Sequence, residues 1–293
     1  ALTATLKNVK ELIVKVYEIN ALNFYLDRKE EINTDLNLDG LVANEEKLYR
    51  YEDAPIRRRT ETFAFESLKD RKGIWVIELI GNGISSRALV RKGKLQHLST
   101  TTVGGELLTV LDDENVPVKA AAAWFGGKRY EADEQGLILL PFSEAGEVPV
   151  VLTDGDFASL VKINLPVEQY EFTAGVLLEQ ETLLPGTEAN IAIRPVLSLN
   201  GEPVQISNLK ETRLTLSTAD LDGIDSISEA KDFALFDDKE SSYTFRVPAR
   251  LTRVTVELSG EVPSITRPGE TTTLQFSKSF EVNGVEAQDV VAD

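Results

Sequence analysis

The chain has 293 residues, 42% of them apolar and 27% charged, with a formal net charge of -17 and an isoelectric point near 4.6. A chain of this length and apolar content supports folded cores and reads as two or three domains rather than one small sandwich. Its acidity argues against nucleic acid and anionic membrane surfaces as partners, and the absence of cysteine excludes disulfides and thiolate metal sites.

The charge is unevenly placed. Residues 1–104 carry 17 basic and 15 acidic side chains, and the remainder carries 14 and 33. That shift places a boundary near Val103-Gly104-Gly105, and Leu165-Pro166-Val167 marks a second. The expected domains are therefore 1–103, 104–166 and 167–293. No apolar run reaches the ~20 residues that cross a bilayer, so no direct membrane insertion is expected. The chain opens on Ala1 and contains no methionine, which reads as an excised piece of a longer protein.

In chain order, Leu12, Val14 and Val16 alternate with Ile13, Lys15 and Tyr17, the period of a strand with one face on a core. A short helix is expected from Ala21 to about Glu31, with Asn20 as N-cap and Leu22, Tyr25 and Leu26 on one face. Phe63 and Phe65 share a strand face, and Gly73–Leu79 is a nearly continuous apolar run. Alternation returns at Ile191/Ile193, Leu214/Leu216 and Val254/Val256/Leu258, with an insertion expected around Asp220–Asp238. Turn signals punctuate these runs, among them Asn82-Gly83, Gly126-Gly127, Asp154-Gly155, Asn200-Gly201, Asp222-Gly223, Pro268-Gly269 and Asn283-Gly284. Short strands with turns at such intervals predict an all-β chain of tandem immunoglobulin-like or macroglobulin-like β-sandwiches, with one short helix in the first.

The sharpest chemical motif runs from Asp35 to Glu46. Asp35, Asn37, Asp39, Gly40 and Glu46 satisfy the spacing of a twelve-residue calcium loop, in which oxygens surround the ion and glycine permits the sharp turn. Leu36 and Leu38 alternate with those polar residues, so a half-buried strand ending in an Asp39-Gly40 turn is the favoured reading and calcium the alternative. Asp220, Asp222, Asp225 and Glu229 form a weaker acidic loop, read as a solvated turn.

Arg50 with Arg57-Arg58-Arg59, and Arg87 with Arg91, Lys92 and Lys94, make two basic groups. They read as solvated strand edges in preference to a dock for an acidic partner. His97 is the single histidine; Ser99 and Asp112 lie near it in sequence, but a relay is defined by geometry. Gly83-Ile84-Ser85-Ser86-Arg87 lacks the second glycine of a nucleophile elbow. Trp75 and Trp124 lie in apolar surroundings that favour packing over sugar stacking. Acidic residues are plentiful enough for a hydrolase, but abundance places no two carboxylates across a cleft. No catalytic role is assigned.

Gly73, Trp75, Val76 and Glu78, then Ser86-Arg87-Ala88-Leu89-Val90, then Pro117, Val118 and Ala121, then Asp133 and Gly136 follow one another as in the bacterial alpha-2-macroglobulin family. Over these seventy residues the chain resembles the end of one macroglobulin-type sandwich and the start of the next. The resemblance implies scaffold modules; the family's thioester requires a cysteine, which this chain lacks. The expected function is a non-enzymatic segment that holds geometry and binds proteins within a larger secreted, periplasmic or cell-surface protein. A glycan-binding or adhesin-type sandwich, calcium-assisted through Asp35, Asn37, Asp39 and Glu46, is the second reading.

Overall fold

The structure, a computed structural model, describes residues 1–52 and 56–282. The Asn283-Gly284 turn lies outside the described residues. The chain divides into two compact units. Unit 1 comprises Ala1–Thr100, Gly105–Pro141 and Gly146–Leu165; unit 2 comprises Thr101–Gly104, Phe142–Ala145 and the chain from Pro166 onward.

Unit 1 begins with β1 (Leu2–Leu6), β2 (Glu11–Ile19), α1 (Ala21–Arg28), β3 (Glu45–Arg50), β4 (Arg59–Phe63), β5 (Gly73–Gly81) and β6 (Ile84–Lys92). It continues with β7 (Gln96–Thr102, its last two residues falling in unit 2), β8 (Gly105–Leu111), β9 (Ala121–Phe125), β10 (Lys128–Glu131), β11 (Leu137–Leu140), β12 (Gly146–Asp154) and β13 (Phe157–Leu165). The antiparallel pair β1-β4 faces the four-stranded sheet β3-β2-β5-β6, and Leu6, Val14, Phe63, Trp75 and Ile77 fill the space between. A second sandwich has sheets β10-β9-β12-β13 and β11-β8-β7 around Leu108, Ile138, Val150, Leu152 and Ile163.

The alternation read at residues 12–16 is the core face of β2. β5 is different. Residues 74–79 are all buried, because the sheet is covered on both sides. Trp75, Ile77 and Leu79 point to the β1-β4 side; Ile74 and Val76 point to the other, where α1 and the segment after it lie. A strand covered twice has no wet face, so its sequence is continuously apolar.

α1 is capped as expected, with the Asn20 side chain accepting from Asn23 N–H at 2.9 Å. It stops at Arg28 rather than near Glu31, because Lys29 turns left-handed (φ 56°) and returns its N–H to the Tyr25 carbonyl. That turn drops Ile32 into the interior. Around it, Ala21 and Tyr25 pack with Ile74 of the first sheet and with Val151 and Ala158 of the second sandwich. The helix is therefore a shared core element of the two sandwiches in unit 1.

Two-residue hairpins set register at Gly81↔Ile84 and Leu199↔Glu202. Both central positions take positive φ, 52° and 73° at Asn82-Gly83 and 51° and 85° at Asn200-Gly201, as type I′ turns require. Gly105 serves a different need. It opens β8 at φ 133°, and a Cβ there would lie 2.0 Å from the Leu140 carbonyl oxygen on β11.

Unit 2 holds β14 (Tyr170–Leu178), β15 (Glu188–Leu199), β16 (Glu202–Val204), β17 (Lys210–Asp220), β18 (Asp225–Lys231), β19 (Ser241–Arg246), β20 (Leu251–Pro263) and β21 (Thr271–Glu281). β15 is flanked by β14 on one side and by β16 and β19 on the other; the facing sheet runs β18-β17-β20-β21. Ile191, Ile193, Leu214, Leu216, Val254 and Val256 meet in the core, as their alternation predicts. Part of the stretch expected as an insertion belongs to the sandwich, since Asp225–Lys231 forms a sheet strand in register with β17. The folded architecture is mainly strand, with α1 the single α-helix among the described residues.

Candidate functional site

Polar chemistry gathers first on the second face of sheet β3-β2-β5-β6. Glu78 is the charged member of the apolar β5 run and is 7% exposed. Its carboxylate accepts from Ser85 Oγ at 2.8 Å and from Arg87 Nε at 3.0 Å, with the Tyr17 hydroxyl at 3.5 Å. Burial pushes this carboxyl up, but the hydrogen bonds from Ser85 and Arg87 outweigh burial and hold it below the ordinary glutamate range.

Arg87 then reaches outward and donates to the Leu36 carbonyl at 2.8 Å. Two pleat repeats further along β6, Arg91 pairs with Glu31 and donates to the Ile32 carbonyl. Lys92 donates to the Leu68 carbonyl. By sequence alone Arg87, Arg91 and Lys92 read as a solvated edge. In the fold they are struts that pin residues 31–36, and Leu68, onto the sheet. Tyr25 completes this seam. Its hydroxyl, pushed up to about 12 by burial and by Glu31, stays a neutral donor toward Glu31 at 3.4 Å.

The proposed calcium ligands lie in this same segment. Residues 35–41 are an irregular loop, not the expected strand. Asn33 and Asn37 accept from the N–H groups of Asp35 and Asp39, each at 2.9 Å, so side chains satisfy backbone that a strand would have paired. The Asp39-Gly40 turn does form, with Gly40 at φ 83° and Leu41 N–H returning to Leu38. Leu38 is buried against Val76, which gives the loop an apolar anchor. Glu46 is on β3 and pairs with Lys15 at 3.3 Å. Among the described residues no group of three or more acidic or histidine side chains is placed to hold a metal.

The remaining candidates resolve into local structure. Asp112 accepts from the N–H groups of Glu114 and Val116 at 2.9 Å, which caps its turn. The acidic neighbour of His97 is Glu106; burial lowers the imidazole and Glu106 partly offsets it. Trp75 is buried in the first core, and Trp124 packs with α1. Arg50 pairs with Glu11 at 3.1 Å, and Arg59 lies 4.3 Å from the Tyr51 ring centre. Asp220 caps Asp222 and Ile224, while Asp222 pairs with Arg250 at 2.8 Å.

Unit 2 has a comparable node that sequence reading missed. Glu168, just before β14, accepts from Ile265 N–H at 2.7 Å, Thr266 N–H at 3.1 Å, and the Ser264 and Thr266 hydroxyls at 2.8 Å each. It clamps the β20–β21 turn. Burial raises this carboxyl, and the backbone and hydroxyl donors outweigh burial and hold it low. No local motif marks it, because donor and acceptor are almost a hundred residues apart. What these places do chemically is hold backbone in position; they leave loops and strand edges as the surfaces open to other molecules.

Comparison with known proteins follows the same lines. Residues 12–93 match the family described as AbpF first immunoglobulin-like domain, and residues 179–288 match AbpF third immunoglobulin-like domain. Over 297 aligned residues the chain is 34% identical to Actin-binding protein F of Dictyostelium discoideum, covering 98% of this chain and 13% of that protein. That relative overturns the expected secreted, periplasmic or cell-surface location, since its name ties it to actin, a filament of the cytoplasm.

Two solved structures align along most of the chain. One is a tetra-tandem repeat from the extending region of a large adhesion protein (11% identity, 96% of this chain and 70% of that chain, TM-score 0.24). The other is trypsin-activated alpha-2-macroglobulin from Escherichia coli (10% identity, 95% and 29%, TM-score 0.25). At these scores neither carries an argument, and the family models that match are AbpF immunoglobulin-like domains rather than macroglobulin domains. Among the described residues, no helix is long and apolar enough to cross a membrane. Sheets, cores and family matches agree that the chain is a run of immunoglobulin-like β-sandwich domains similar to those of AbpF.

Proposed function

We propose that this chain is a non-enzymatic scaffold segment of a larger cytoplasmic protein that binds actin. Its modules, expected at 1–103, 104–166 and 167–293 but with β7 (Gln96–Thr102) belonging to the second sandwich, hold spacing and present loops and strand edges to proteins. The observation that carries this reading is the 34% identity to Actin-binding protein F along 98% of the chain. The filled cores support it, because each sandwich interior is taken up by packed apolar side chains. The first-then-third order of the two matched domains supports three modules, since the β7–β13 sandwich falls between them.

Co-sedimentation with filamentous actin across a salt series tests the partner. Saturable pelleting is the expected result, with no loss as salt rises, because a chain of net charge -17 gains little from long-range charge attraction. A chain that stays in the supernatant over excess actin at every salt concentration would remove actin as its own partner. For residues 35–46 we propose a structural role: the loop is anchored by Leu38 and by the Arg87–Leu36 bond. Millimolar calcium should leave the melting temperature unchanged, and a rise abolished by Asp39→Ala would instead establish an ion site.

A further inference from the structure

The two outer strands of sheet β18-β17-β20-β21 are treated differently. β21 packs against β14 of the facing sheet, and its Lys278 ammonium donates to the Val176 carbonyl at 3.0 Å. β18 receives the Tyr243 hydroxyl of β19 on Ser228 Oγ at 3.3 Å, but among the described residues no strand pairs with its outer backbone edge. Its seven residues, Asp-Ser-Ile-Ser-Glu-Ala-Lys, contain no proline and no bulge against β17; its charges are Asp225, Glu229 and Lys231, of both signs, so they oppose only some pairing registers. Ile227 is 71% exposed on it, and Ile224 is 63% exposed just before it.

The register identifies which backbone groups are open. Asp220 N–H donates to the Ile224 carbonyl, and hydrogen-bonded pairs recur at every second residue of an antiparallel ladder. The bonded pairs with β17 are therefore Thr218↔Ser226, Leu216↔Ser228 and Leu214↔Ala230. The N–H and C=O groups of Asp225, Ile227, Glu229 and Lys231 then point to the open side.

We propose that β18 is a homotypic docking edge: two copies of this chain pair antiparallel through Asp225–Lys231 about a two-fold axis at Ser228. In that register Asp225 faces the second copy's Lys231, Ile227 faces Glu229, and every open backbone group meets an open one. Asp225 and Lys231 have no ion-pair partner within the chain among the described residues, whereas Glu229 is held by Arg213 at 2.7 Å. The two exposed Ile227 side chains become diagonal neighbours across the axis, within reach of each other. A shift of two residues sets Asp225 against Glu229, or Glu229 against itself, and like charges directly opposed destabilise a strand pair. A shift of one residue misaligns the open donors and acceptors. Charge and hydrogen-bond parity thus select one register. A single strand pair buries less than the ~1,200 Å² of a stable interface, so the dimer is weak and concentration-dependent.

Sedimentation equilibrium of the whole chain over a concentration series, with hydrogen exchange read at residues 225–231, tests this. The wild type should self-associate, with exchange at Ile227 and Glu229 slowing as concentration rises. Asp225→Lys and Lys231→Asp each turn two attractive pairs into repulsive ones and should weaken dimerisation about tenfold. The double variant carrying both changes restores opposite charges and should return the affinity to within about threefold of wild type. Ile227→Pro, on an open N–H, should abolish pairing. A chain that stays monomeric to about millimolar, the weak limit for such small interfaces, would overturn the proposal. So would single reversals that dimerise like wild type, a double variant that fails to recover, or protection that maps to a different segment.

Discussion

Sheet β3-β2-β5-β6 of unit 1 and sheet β18-β17-β20-β21 of unit 2 have the same strand count but opposite exposure. The first is covered on both faces, by β1-β4 on one side and by α1 and residues 29–44 on the other. The second packs only one face, and its outer face carries Thr255, Ser259, Ser277 and Ser279. The difference lies in who supplies the second cover. In unit 1 it is a segment with little regular structure, which must be fastened by side chains. Hence a carboxylate and two arginines stand where a plain sandwich would have solvent-facing serines and threonines.

The sharpest way to break this comparison is Trp75→Ala. It empties a position 1% exposed between two packed layers and should cost about 3–5 kcal/mol. Differential scanning calorimetry should show the unit 1 transition falling while that of unit 2 holds. Next comes Arg87→Met, which strips Glu78 of its charge partner and the Leu36 carbonyl of its donor. A loss of about 1–3 kcal/mol is expected. Hydrogen exchange should quicken in residues 31–38 ahead of β2 and β5.

Acid titration sharpens the comparison further. Glu78 titrates below its ordinary value of 4.5, so its contribution is present above that value and lost as pH falls through the lower folded value. Wild type should exceed Glu78→Gln in stability near neutrality, and the two curves should converge in acid. Glu168 follows the same sign, but its donors are mainly backbone N–H groups and hydroxyls. Added salt should therefore erode the Glu78 contribution more than the Glu168 one. The smallest effect is expected on the outer face of unit 2, where Thr255→Val should change stability by no more than about 0.5 kcal/mol.

Much of the frame was legible in the sequence because it depends on local rules. Asn82-Gly83 and Asn200-Gly201 name their own turns, Asn20 names its cap, and Leu214/Leu216 and Val254/Val256 name their face. The covering segment was not legible. Leu36 and Leu38 alternate like a strand, yet a side-chain turn at Asn37 and a distant arginine decide the backbone there. The signal that pointed to it was Glu78 itself, a carboxylate in the middle of Gly73–Gly81. A charge that deep requires partners, and the nearest in pairing order are Ser85 and Arg87, across the Asn82-Gly83 hairpin. Nothing comparable marks Glu168, whose donors are set by how β20 and β21 turn.

The Glu168 clamp bears on how unit 2 meets mechanical load. Tension entering near Pro166 travels along the covalent chain into β14, and in parallel through one carboxylate into the β20–β21 bend. Two routes share the pull, so the first strand cannot peel until several short bonds to a distant hairpin let go together. The entrance to this module is thereby stiffer than its strand count alone suggests.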